Sequence, residues 1–219
     1  GINDYFSERN DEALQDFEQV LEINNKDLFA GEFDTIMVQY SGIISREIAE
    51  KTGDKDLYMK AIGYYEQLAD VDFGGASTYV QIRNYYMAAE DTLKALEVIK
   101  EAYEKYPDTT YVVANVADTY LQLKKYHEGL EFMEKVIANT PDMPQAYYWK
   151  GRLLIFLEEV EYIEKAIEAY KKVIELDPSI YYAYYDLGYI YFRQGETYYD
   201  AANEEEDEEA RKEINEIAR

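Results

Sequence analysis

The chain has 219 residues, 47% hydrophobic and 31% charged, enough for one large domain or an elongated array. Four prolines and eleven glycines are too few for a loop-rich all-β fold, and the lack of cysteine excludes disulfides, thiolate metal sites and cysteine nucleophiles. A net charge of −24, from 22 basic and 46 acidic side chains, repels phosphate backbones and anionic lipid surfaces.

The first predicted element is a helix bearing Ala13, Phe17 and Val20, with Asn25 after it. Counted from Ala13 these residues fall at offsets 0, +4, +7 and +12. The first three offsets put a small, a bulky and an apolar residue on one helical stripe, and the small residue lets a neighbouring helix approach. A longer helix over 33–51 follows, with apolar residues at 33, 36, 37, 40, 43, 44 and 48 and no unambiguous register. Ala61, Tyr65, Leu68 and Phe73 then repeat the offsets. The stretch "DVDFGG" (70–75) has the start of a calcium loop, but Gln81 stands where a bidentate Glu is needed, so no calcium site is expected.

Beyond residue 76 the pattern sharpens. Tyr79, Ile82, Arg83 and Tyr86 form one stripe, and Ala95, Ile99, Ala102 and Pro107 the next. Val113, Val116, Ala117 and Tyr120 precede Gly129, Met133, Val136 and Pro141. Tyr147, Lys150, Gly151 and Leu154 precede Ala166, Tyr170, Val173 and Pro178, with Lys150 where an apolar residue is expected. Each proline stops its helix, because it lacks an amide donor and restricts the residue before it. Pro107 to Pro141 is 34 residues, and Pro141 to Pro178 is 37, the extra three falling in the turn around 158–163. The one histidine, His127, sits at a helix start beside Lys124 and Lys125, with no Ser or Cys partner for a triad or a transition-metal site.

The last stretch opens with six tyrosines at 181, 182, 184, 185, 189 and 191. Tyr184, Leu187, Gly188 and Tyr191 keep the core spacing, which assigns Tyr184 and Tyr191 to the core. Tyr184, Leu187, Tyr191, Gly195, Tyr198 and Ala202 continue one helical face, so the helix is predicted to run through Gly195 to about Asn203. Tolerating that glycine costs roughly 1 kcal/mol. A last helix is predicted from about Asp207, with Ala210, Ile214 and Ile217 for burial. The acidic run "NEEEDEE" (203–209) reads as a solvated helix junction, with a dock for a basic partner or a weak calcium site as the sharper alternatives.

A 34-residue helix-turn-helix with these landmarks resembles the tetratricopeptide repeat. "AYYWKGRLLIF…EKAIEAYKKVIELDPS" and "YAYYDLGYIYFRQG" are similar to close copies of the motif, and "VVANVADTYLQLKKYHEGLEFMEKVIANTP" to a looser one. The resemblance implies an all-α, right-handed superhelical solenoid of antiparallel helix pairs, about five to six repeats in a single array over 1–219. Its parts are a partial repeat at 1–28, a divergent one at 29–75, and regular ones at 76–109, 110–143 and 144–180. The last, 181–219, has an extended first helix and the acidic junction.

In such arrays the first helices line a concave groove, and the resemblance makes their outward positions the candidate contacts. These are Asn84, Tyr111, Asp118, Tyr148, Arg152, Phe156, Tyr182, Tyr185, Tyr189, Phe192 and Arg193. Some relatives grip a C-terminal carboxylate with groove lysines and asparagines; here Val80, Ala114, Tyr148 and Tyr185 hold the lysine positions, which argues against that activity. The expected function is a non-catalytic scaffold that binds a peptide or protein segment, with phenol hydroxyls and the two arginines fixing polar groups. A glycan-binding or oligomerisation module using the tyrosine-rich face is the alternative, so a homo-oligomer stays open. No cofactor, metal or catalytic residue is expected, nor nucleic acid or membrane insertion. The start at Gly1 rather than Met, the absent cysteines and the acidic, tyrosine-rich composition point to an exported, periplasmic bacterial protein, with the cytoplasm as the alternative.

Overall fold

A computed structural model describes residues 9–24, 34–157, 160–204 and 212. These residues form ten helices and no strand. In chain order they are α1 (Asn10–Asn24), α2 (Thr35–Thr52), α3 (Lys55–Asp70), α4 (Ala76–Ala88) and α5 (Thr92–Lys105). Then come α6 (Thr110–Gln122), α7 (Tyr126–Asn139), α8 (Pro144–Ile155), α9 (Val160–Leu176) and α10 (Tyr181–Glu204). The fold is all-α. Two compact units, Gly1–Thr119 and Tyr120–Arg219, divide the chain within α6.

In the first unit each helix from α1 to α5 packs against the next in sequence. Ala61, Ile62, Tyr65 and Leu68 of α3 meet Val38 of α2, Ile82, Tyr85 and Tyr86 of α4, and Ala95 of α5 in one cluster. Ala13, Leu14 and Phe17 meet Ile44 and Ile48 in another. The third position of the first stripe differs from expectation, because Val20 is 38% exposed. Leu21, four residues after Phe17, packs inward in its place, so the buried stripe of α1 runs through Leu14, Phe17 and Leu21.

Local chemistry sets the helix ends. Carboxylates of Asp34, Asp54 and Asp91 accept from the amides of Met37 (3.0 Å), Asp56 (2.9 Å) and Lys94 (3.2 Å), filling free donors of α2, α3 and α5. Tyr106 and Thr140, each before a proline, leave the helical region at φ −133° and −135°. After α3, where Phe73 replaces the proline, Asp72, Gly74 and Gly75 at positive φ make the turn.

In the second unit α7 packs on α8, α8 on α9 and α9 on α10. The stripes Gly129–Met133–Val136 and Ala166–Tyr170–Val173 are buried. α10 runs unbroken through Gly195 to Glu204, the continuation that its periodicity predicts. Tyr184 and Tyr191 correct the sequence reading: they are 47% and 46% exposed instead of buried. Among the described residues α10 packs chiefly on α9, and these two positions stay at its surface. The predicted last helix and the acidic run beyond 204 fall outside the described residues, apart from residue 212, as do Asn25 and Phe33.

Candidate functional site

Three helices of the second unit build an aromatic surface. α8 supplies Tyr148, Arg152, Ile155 and Phe156, α9 supplies Tyr170, and α10 supplies Tyr182, Tyr185, Asp186, Tyr189 and Ile190. Arg152, Phe156, Tyr185 and Tyr189 come together around a pocket of about 310 Å³, with Ile155, Ile190, Tyr170 and Asp186 completing its lining. Tyr148 and Tyr182 pack edge to face with ring centres 4.5 Å apart, and Tyr170 lies 5.8 Å from Tyr148. Phe156 stacks on Tyr126 at 5.5 Å. Further along α10, Phe192 is exposed and Arg193 pairs with Glu196 at 3.2 Å.

Polar groups sit beneath these rings. Arg152 donates to the Tyr148 hydroxyl at 3.3 Å and lies 5.6 Å from the centre of the Trp149 ring. Burial, with the nearby Asp186 carboxylate, pushes the Tyr148 and Tyr170 phenols above their ordinary range, while Arg152 works in the opposite direction. Both hydroxyls lie close to that carboxylate, whose Oδ2 is closed to solvent.

The other expected contacts, Asn84, Tyr111 and Asp118, belong to the first unit. Arg83 takes up two of them: its guanidinium donates to Asn84 Oδ1 at 3.0 Å and pairs with Asp118. Asn84 also lines a pocket of about 460 Å³ with Gln81, Arg46, Glu50 and the edge-to-face pair Tyr65–Tyr85. Tyr111 is exposed. His127 lies exposed near the start of α7, with its ring edge-on to Tyr162 at 6.2 Å. No group of three or more His, Asp or Glu among the described residues is placed to hold a metal ion. No described helix is long and apolar enough to cross a membrane.

Sequence models of one repeat match two stretches of the chain. The model described as "Tetratricopeptide repeat" matches residues 112–143, and one described as "TPR repeat" matches 162–195, from α9 into α10. The chain carries tetratricopeptide repeats at these two stretches. It is 29% identical over 138 residues to the TPR repeat-containing protein MJ1428 of Methanocaldococcus jannaschii. That match takes in 63% of this chain and only 22%, about a fifth, of the length of that relative. Among solved structures it is similar to YrrB, titled a TPR protein with an unusual peptide-binding site: 18% identity, 80% of this chain and 85% of that one, TM-score 0.49. It is also similar to MamA from Desulfovibrio magneticus RS-1, at 21% identity over 81% of this chain and 92% of that one, with a TM-score of 0.47.

Two pocket residues do not stand out in the sequence as contacts. Tyr170 belongs to the core stripe and also lines the pocket. Asp186 is one acid among 46, but it lies four residues after Tyr182 and three before Tyr189, on the same stripe of α10. That spacing was the available signal.

Proposed function

We propose that the chain is a non-catalytic protein-interaction scaffold, and that α8 and α10 present the surface on which a peptide or protein segment docks. The observation that carries this reading is the set of exposed aromatic rings around one pocket. Tyr185 is 72% exposed, Tyr189, Phe192 and Phe156 are exposed beside it, and folded surfaces normally show such side chains singly. Tyrosine and phenylalanine offer large contact areas at little entropic cost, and Arg152 and the phenol hydroxyls supply directional bonds at the same place. A pocket of about 310 Å³ suits one or two side chains of a bound segment. Asn84 and Tyr111 act as contacts of the first unit on the same reading, with Asp118 held by Arg83.

The test is a pulldown comparing the wild type with a Tyr185→Ala/Tyr189→Ala/Arg152→Ala variant of equal helical content. Aromatic and arginine anchors each contribute about 2 kcal/mol or more at an interface centre, so the triple change is expected to abolish capture. Retention of every partner by a folded triple variant would show that the surface is assigned wrongly.

A further inference from the structure

We infer that the pocket between α8, α9 and α10 receives a basic side chain, lysine or arginine, of the docked segment; the inference rests on the reading of that face as a peptide surface. The first observation is Asp186, the one carboxylate among the residues that line this pocket. A carboxylate at a pocket wall receives a cationic N–H group through a charge-assisted bond. Arg152 is already engaged with the Tyr148 hydroxyl and the Trp149 ring.

The second observation is the wall. Tyr185, Tyr189 and Phe156 line the same pocket with rings open to solvent, and aromatic faces attract cations. Charge decides between occupants. Within the pocket one guanidinium balances one carboxylate, so a second cation meets no net repulsion there. Beyond the pocket the chain carries −24, which draws in basic segments and repels acidic ones.

Panning a random dodecapeptide phage library on three folded proteins tests this: wild type, Tyr185→Ala/Tyr189→Ala and Asp186→Asn. Clones that bind the wild type but not the tyrosine variant are expected to be enriched in lysine or arginine. Synthetic peptides from those clones should bind Asp186→Asn about tenfold more weakly. Replacing the basic residue by norleucine should lose a similar factor on the wild type and little more on Asp186→Asn, a check that holds whatever the variant does to folding. Tyrosine-dependent clones without basic enrichment, or basic clones indifferent to both changes, overturn the inference and leave the peptide surface standing. If no clone depends on the tyrosines, the surface reading falls as well.

Discussion

Gly151 of α8 and Gly188 of α10 occupy the same place in the repeated spacing and meet opposite surroundings. A Cβ on Gly151 would stand 2.9 Å from Cε1 and Cζ of Tyr170, a ring fully buried between α8 and α9. Packed interiors yield little, so Gly151→Ala is expected to cost about 1–3 kcal/mol of stability. Nothing among the described residues stands within 4 Å of a Cβ on Gly188. There the gain in helix propensity acts alone, and Gly188→Ala should stabilise by roughly 0.5–1 kcal/mol. Urea midpoints of the two variants check this contrast, and shifts of the same sign would refute it. The same contrast explains why Tyr184 and Tyr191 were misread. Spacing along a helix tells which residues share a face, but not whether another helix covers that face.

Among elements, α4 and α6 are tied by an arginine at a position where the stripe calls for an apolar residue. The Arg83 side chain is buried; its Nε donates to the Thr119 hydroxyl at 2.9 Å, and its Nη2 pairs with Asp118. A buried guanidinium requires such partners, and removing it strands them. Arg83→Met, which keeps much of the stem, should lose about 1–3 kcal/mol, and Thr119→Val about 1 kcal/mol. Because the two share one bond, the double variant should lose less than the sum; strict additivity in chemical denaturation would show that the bond is energetically silent. Arg83 also marks the limit of what the sequence discloses. Its place in a core stripe was legible as an anomaly, as was that of Lys150, which reaches Glu134 of α7 at 3.1 Å. The partners were not legible: Thr119 lies 36 residues away, and only the fold brings it within reach of Arg83. Helices themselves were legible because burial imposes their period, even through Gly195 of α10.

For the whole molecule, the tyrosine content ties stability to pH. Burial is the leading cause that pushes Tyr65, Tyr85, Tyr86, Tyr120, Tyr148, Tyr170 and Tyr182 above the usual phenol range. Tyr106 is pushed up to about 12, chiefly by donating to Asp72. In the unfolded chain the same phenols ionise near pH 10. Groups with folded values raised above their unfolded ones stabilise the fold fully below the unfolded value. That contribution fades as pH rises from about 10 through the folded values, because the unfolded chain gives up protons that the fold retains. Phenolate charge also adds to a chain already at −24, which strengthens self-repulsion. The melting temperature is therefore expected to stay level between about pH 7 and 9 and to fall steeply above about 10. Phenolate absorbance should rise in two stages, the second coinciding with loss of helical circular dichroism. A single phenolate transition near pH 10 with the helices intact would mean that the buried tyrosines are not held protonated by the fold.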